Sequence, residues 1–205
     1  VNAGKKSLCV NLKTSEGKQI VLDLIQNADI VLHNYRPGVP ERLGIDYASV
    51  RPLNPALIYI QSNGYGSDGP SAHRPSTHPI PGAAMGGVFY QMGETLPGEL
   101  LGEDDLLLWT SRLMRANELN PDPNTSAVIA TSALLGLSAR QRTGRGQQIM
   151  VDMFGANAYA NADDFVRYPG KEARPLPDAD LHGLSAGYRL YECLNGTWVF
   201  LALVT

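Results

Sequence analysis

The sequence lacks most of the signals by which chemistry announces itself. It has only two cysteines, Cys9 and Cys193, far apart in the chain. That excludes a disulfide framework and a cysteine-built zinc site, whose ligands recur at short fixed spacings. Two unpaired thiols suit a reducing compartment, so a cytoplasmic protein with both thiols buried is expected. No basic run or nucleic-acid motif is present and the formal net charge is -3. A general polyanion-binding surface, and with it a nucleic-acid partner, is therefore not expected. No apolar run approaches the roughly 20 residues needed to cross a bilayer, so no membrane partner is expected either. G-x-S-x-G, a P-loop and G-x-G-x-x-G behind a strand are all missing, and "GYGSDG" is too generic a glycine turn to specify a nucleotide. The four histidines, His33, His73, His78 and His182, keep no metal-ligand spacing, so no metal site is expected. The acid pairs Asp104-Asp105 and Asp163-Asp164 read as solvated or capping residues rather than a hydrolase's carboxylate pair.

What is present is a chain of 205 residues, 43% apolar, enough for a domain of ordinary size with a real core. Its first third alternates between two periodicities. "KSLCVNL" predicts a strand with Leu8, Val10 and Leu12 on one face. "TSEGKQIVLDLIQNA" predicts a helix capped by Thr14, with Glu16 in the first turn and Ile20, Val21, Leu24 and Ile25 as the core stripe. "DIVLHNY" is almost wholly apolar and predicts a central parallel strand covered on both faces. "RPGVPERLGI" turns at Pro37-Gly38 into a short helix, and "DYASVRPLNP" gives another helical turn closed by Pro55. "ALIYIQSNGYG" predicts a third strand. Such alternation specifies an open α/β sheet, in which ligands sit beyond the carboxyl ends of the strands. "HNYRPG" and "SNGYGSDGP" both fall there.

Residues 67–125 are rich in Gly, Pro, Ser and His, with one predicted helix in "DDLLLWTSRLMRANEL". A long helix follows, to be capped by Asn124, Thr125 or Ser126, and its run Ala127–Leu137 predicts burial on most sides. Gly144 is its natural stop. "QQIMVDMF" reads as a strand, "GANAYANADDFVRY" as a helix, and "YRLYECLNGTWVFLAL" as a hairpin turning at Asn195-Gly196. The expected organisation is a large α/β domain over 1–168, a linker over 169–185, and the start of a second small lobe over 186–205. The chain opens without Met in one apparent strand and stops inside another, so both ends are expected to be cut.

Asp122 stands between Pro121 and Pro123 at the mouth of the long helix. The ordinary role of an Asp there is a cap or turn former. A helix N-terminus also stabilises an anion, and the prolines limit the backbone, so a nucleophilic carboxylate fits the same place.

The order of segments resembles the class III CoA-transferases, the CaiB/BaiF family. Residues 2–70 follow the pattern N-x-x-K-x-S-L, D/N-L-K-T-x-E-G, N-F-R-P-G, E-R-L-G, N-P-x-L-I-Y and S-G-F-G-x-D-G-P. "ARQRTGRGQQIMVDMF" matches R-x-R-T-G-R-G-Q and the strand after it, so the likeness also covers 122–165, with a weaker echo at 186–202. The resemblance implies a Rossmann-like, mostly parallel open sheet flanked by helices. It implies that CoA passes from an acyl-CoA donor to a carboxylic acid through an aspartyl anhydride and an aspartyl-CoA thioester, with no tightly bound cofactor. Asp122 is then the nucleophile, and the 1–168 domain binds CoA. Leu12, Lys13, Asn34, Tyr35 and Arg36 fall on the segments that hold the nucleotide end. Arg42 is the implied phosphate partner, Tyr65 lines the pantetheine path, and an interlocked homodimer is implied. In relatives the glycine-rich oxyanion loop lies beyond the position of Thr205.

Two departures stand out. Relatives often read R-P-G-Y-D-P-I-A-Q-A where this chain has "RPSTHPIPGA", with Thr77 and His78 at the Tyr and Asp positions. The segment over 93–120 also fits the family pattern poorly. Related acyl-CoA racemases carry a His that would fall at Thr77, so the acid–base set for α-proton exchange is incomplete here. A racemase or isomerase is one alternative, and a non-catalytic CoA-binding remnant is the other.

Overall fold

The structure is a computed structural model that describes residues 2–85, 87–92, 99, 102–115, 120–178 and 180–203. Along the chain the elements run α1 (Ser15–Gln26), β1 (Ile30–His33), α2 (Val39–Leu43), α3 (Tyr47–Val50), β2 (Ile58–Asn63), α4 (Pro79–Ala84), α5 (Gly87–Met92) and α6 (Glu103–Arg115). There follow α7 (Pro121–Thr143), β3 (Gln147–Asp152), α8 (Met153–Ala160), α9 (Ala162–Phe165), β4 (Gly183–Ser185), β5 (Tyr188–Glu192) and β6 (Trp198–Ala202). They divide into two compact units, Val1–Pro75 with Thr125–Gly155, and Ser76–Asn124 with Ala156–Thr205. Among the described residues no helix is long and apolar enough to cross a membrane.

The first unit is built on a parallel sheet of order β1-β2-β3, in which Ile30 pairs with Ile58 and Ile60 with Ile149. The fold class is the expected α/β one, but the central strand is β2, not β1. Ile58, Tyr59 and Ile60 are wholly buried, whereas Leu32 of β1 is exposed. An apolar run in sequence says that a strand can be covered on both faces, and its neighbours decide whether it is. Each of the three buried β2 side chains contributes about 1.5–3 kcal/mol by leaving water. The buried cluster joins Tyr59 and Leu57 to Ile25, Ile45 and Val50, with Leu12, Val21 and Val31 packed against it.

Helix α1 starts as the sequence predicts, its first turn capped by the Thr14 hydroxyl, which accepts from the Gly17 N–H at 3.1 Å. Of the predicted stripe only Ile25 is buried, and Ile20 and Leu24 are exposed. The predicted strand "KSLCVNL" does not form, and Leu8 is 60% exposed. Alternation specifies a strand only beside a partner, and none of the described strands pairs there. The Asn11 side chain instead accepts from the Lys13 N–H at 3.0 Å and turns the chain into α1. Cys9 is exposed and Cys193 partly so, which corrects the expectation of two buried thiols.

Helix α7 begins at Pro121, three residues before the first of the predicted caps. Proline is tolerated in the first turn because its missing N–H would have no intrahelical partner there. The helix is not buried on most sides, since Leu134 and Leu135 are 67% and 65% exposed. It meets the sheet through Gly136, where an added Cβ would lie 3.0 Å from Ile58 and 3.1 Å from Ile149. Arg140 ties the same helix down by an ion pair to Asp29 at 2.8 Å and a bond to the Ala56 carbonyl at 3.3 Å. The helix stops where Gly144 turns to φ 69° and the Thr143 hydroxyl accepts from the Arg145 N–H at 3.2 Å.

The second unit contains α4 to α6, the first turn of α7, the chain from Ala156, and an antiparallel sheet β4-β5-β6. The hairpin at Asn195-Gly196 forms as predicted, with Gly196 at φ 75°. The predicted helix "GANAYANADDFVRY" breaks at Asn161 into α8 and α9. Residues 93–98, 100–101 and 116–119 of the segment that departs from the family pattern lie outside the described residues.

Candidate functional site

Asp122 occupies the first turn of α7, and its surroundings explain why it is held there. Asn120 precedes the helix at φ 54°, a left-handed conformation that asparagine tolerates well. Its carbonyl accepts the first helical bond, from the Asn124 N–H at 3.1 Å. Pro121 is fully buried. Asn157, fully buried in α8, donates from Nδ2 to the Pro121 carbonyl at 3.2 Å. It also accepts at Oδ1 from Asn124 Nδ2 at 2.9 Å. A buried amide is stabilising only when both ends are bonded, so Asn157 clamps both sides of Asp122 to one geometry.

The Asp122 side chain itself is 60% exposed and one of its oxygens is engaged: Oδ2 lies 3.2 Å from His78 Nδ1. A protonated Nδ1 at this distance can donate to a carboxylate oxygen. The dipole of α7 adds positive potential at the same end. The arrangement can hold an ionised, directed carboxylate with a proton donor beside it. Sequence reasoning missed both supports. The sequence marks His78 as a departure from the family pattern and as a histidine without metal-ligand spacing, neither of which points to Asp122. Asn157 is one amide in a run of small and apolar residues, and only that polarity could have marked it.

The other predicted residues lie in the first unit. Asn34, Tyr35 and Arg36 form the exposed turn directly after β1, and Arg42 is exposed in the last turn of α2. Tyr65 follows β2 and packs its ring against Phe154 at 6.3 Å. Since β1 and β2 are parallel neighbours, Asn34, Tyr35, Arg36 and Tyr65 share the carboxyl edge of the sheet. The Gly64 carbonyl accepts from the Phe154 N–H at 3.0 Å, and the Asn63 side chain accepts from the Gly66 N–H at 2.7 Å. Leu12 and Lys13 sit in the turn before α1, Leu12 packed against the buried cluster and Lys13 exposed. Behind the turn after β1, His33 is half-buried, and desolvation holds its imidazole below the usual range against the opposing pull of Glu41.

Among the described residues one group could hold a metal by proximity, Asp178, Asp180 and His182. Its bonds are those of a turn. Asp178 accepts from the backbone of His182 at 3.0 Å and of Asp180 at 3.2 Å, and faces Arg189 at 3.6 Å. The His182 backbone bond, then the Arg189 charge, hold the Asp178 carboxyl below its ordinary range against some desolvation.

Comparison with known proteins places the chain in a family. The chain matches the model of CoA-transferase family III over residues 1–205. It is 36% identical over 154 residues to an acyl-CoA transferase of Fusarium pseudograminearum, covering 75% of this chain and 30% of the relative. It is 35% identical over 155 residues to the acetyl-CoA:oxalate CoA-transferase of Acetobacter aceti, covering 75% and 36%. A CaiB/BaiF family protein from Brucella suis superposes with a TM-score of 0.73 at 27% identity, over 98% of this chain and 49% of that one. The chain thus spans about a third to a half of the length of these proteins. It belongs to CoA-transferase family III.

Proposed function

We propose that the protein moves coenzyme A from an acyl-CoA donor to a carboxylic acid acceptor, with the Asp122 carboxylate as covalent carrier. The observation that carries this reading is the exposed Asp122 carboxylate at the start of α7, held at one oxygen by His78 at 3.2 Å.

The chemistry runs in four balanced steps. Oδ1 of Asp122 attacks the donor thioester carbonyl, the C–S bond breaks, and CoA thiolate leaves an acyl–aspartyl anhydride. The thiolate attacks the aspartyl carbonyl and expels the donor acid, which takes one aspartyl oxygen with it. The acceptor carboxylate attacks the aspartyl-CoA thioester and forms a second anhydride. The thiolate finally attacks the acceptor's carbonyl, giving the new thioester and restoring Asp122. Division into steps with good leaving groups lowers each barrier. His78 supplies a donor at one oxygen, and the helix dipole favours negative charge at this end.

For CoA itself, Asn34, Tyr35 and Arg36 are proposed to receive the nucleotide end with Leu12 and Lys13. Arg42 is proposed to grip phosphate through its planar fork, and Tyr65 to line the pantetheine path. The residues 1–168 are proposed as the CoA-binding domain. A homodimer is proposed from the family likeness, supported by the exposed Leu134 and Leu135. The exposed free Cys9 supports a reducing, cytoplasmic setting.

Racemisation is disfavoured by the geometry of the pair. Bases that exchange an α-proton must flank the carbon from opposite faces, and His78 and Asp122 lie against each other at 3.2 Å. The test is to incubate the protein with an acyl-CoA, quench with hydroxylamine or borohydride, and map the modified peptide by mass spectrometry. Modification at Asp122, lost in Asp122→Asn, is expected. α-Proton exchange with deuterated water and no adduct would replace this reading with isomerisation. Thermal protection by CoA with neither reaction would reduce the protein to a binding module.

A further inference from the structure

The imidazole of His33 stands at the end of β1, immediately before the turn Asn34–Arg36, and both of its nitrogens are engaged. Nε2 is 2.9 Å from Tyr59 Oη. The Tyr35 N–H donates to Nδ1 at 3.3 Å, and the two rings stack at 5.4 Å. Tyr59, wholly buried, donates its one hydroxyl proton to the Ile45 carbonyl at 2.8 Å. Its oxygen can then only accept from His33, so Nε2 carries the imidazole proton. Nδ1 keeps its lone pair and accepts from Tyr35. Both bonds require the neutral Nε2–H tautomer. A second proton would land on Nδ1 and set one N–H against another, removing the bond that restrains Tyr35. The groups around the ring are Tyr59 from β2 and Glu41 from α2, whose charge favours protonation, while Asp46 at the start of α3 acts on Tyr59.

We propose that His33 is a positioning residue for coenzyme A: its neutral form holds the Asn34–Arg36 turn ready for the nucleotide end, and its protonation releases that turn. The proposal rests on the reading of Asn34–Arg36 as CoA contacts. A turn ordered in advance spares the ligand the entropy of ordering it, so release of Tyr35 appears as lost affinity.

The experiment is calorimetric titration of CoA into the full-length protein at about pH 8 and at a pH below the folded His33 midpoint, which the His33 ring shifts locate by NMR. Wild type, His33→Gln, His33→Asn and Arg36→Ala are compared. The CoA phosphate titrates in the same window, so the variant-to-wild-type ratio at each pH is the readout, in which ligand protonation cancels. Gln sets its amide near Nε2 and keeps the Tyr59 contact but offers Tyr35 no acceptor. Asn sets an oxygen near Nδ1 and keeps the Tyr35 contact without titrating. His33→Gln is expected to bind about fivefold more weakly than wild type at the higher pH and equally at the lower, the size of one ordinary hydrogen bond. His33→Asn is expected to match wild type within about twofold at the higher pH and to bind about fivefold more tightly at the lower. In wild type, the Tyr35 amide nitrogen shift should follow His33 ring protonation by NMR, a readout that does not depend on a variant folding. Ratios identical at both pH values, or a Tyr35 amide blind to the His33 titration, overturn the inference; if Arg36→Ala still weakens binding, the CoA reading of the turn survives. Unchanged affinity in Arg36→Ala overturns that reading and this inference with it.

Discussion

His78 Nδ1 lies 3.2 Å from Asp122 Oδ2, pairing a residue just ahead of α4 with the first turn of α7. A donor beside one oxygen restrains the carboxylate plane and leaves the other oxygen for the attack proposed above. His78→Gln is expected to lower kcat about tenfold, the lower end for a bond to a charged group, because this pair is partly solvated. CoA affinity should not change. His78→Asn, whose amide nitrogen falls near Nδ1, should recover most of the loss. Steady-state kinetics with a direct CoA titration separates the two parameters.

Asn157 supports the same turn from the buried side through Pro121 and Asn124. Asn157→Leu leaves a buried carbonyl without its donor, which costs about 1–3 kcal/mol. Thermal or urea unfolding should show that loss. The residual folded protein should have a lower kcat in the proposed transfer, since the backbone on both sides of Asp122 is no longer pinned.

Arg140 is predicted to be structural. Its guanidinium bonds Asp29 and the Ala56 carbonyl and so fastens α7 beside β1 and the entry to β2. Arg140→Met should destabilise the protein by about 1–2 kcal/mol, allowing for the exposure of Asp29, and leave KM for CoA unchanged. A change in KM without a change in stability would contradict this assignment.

Burial lowers the His33 pKa in the folded chain, whereas the unfolded chain titrates near an ordinary pH of about 6.5. As pH falls, the unfolded chain therefore takes the proton first. The stabilisation is complete above about pH 6.5 and is lost as pH falls toward the lowered folded value. The thermal midpoint should drop on going from about pH 7.5 to about pH 5.5, and the drop should be smaller in His33→Asn, which has no proton to gain.

The sequence carried the fold class because its hallmark residues do structural work. Asn54 of "NPALIY" donates to the Ile25 and Ala28 carbonyls at 3.1 and 2.8 Å and closes the end of α1. Arg140, Thr143 and Gly144 of "RQRTGRG" fasten and end α7. Local chemistry of this kind is legible, as the Thr14 cap was. Burial was less so. Leu8, Ile20 and Leu134 are apolar and periodic, yet exposed, because coverage depends on partners far along the chain. In the candidate site, Asp122 is singled out by its turn and its motif. His78 could not, since its role depends on the fold that brings position 78 beside position 122, 44 positions further along the chain.

The most direct test follows the oxygen atoms. With both carboxylate oxygens of the acceptor labelled by ¹⁸O, the account requires one label to remain on Asp122 after a turnover and to leave in the donor acid on the next. Mass spectrometry of the Asp122 peptide and of the released acid should find label in both, and Asp122→Asn should abolish transfer. Catalysis that proceeds while all label stays in the acceptor and its thioester, or exchanges with water, would contradict an aspartyl carrier.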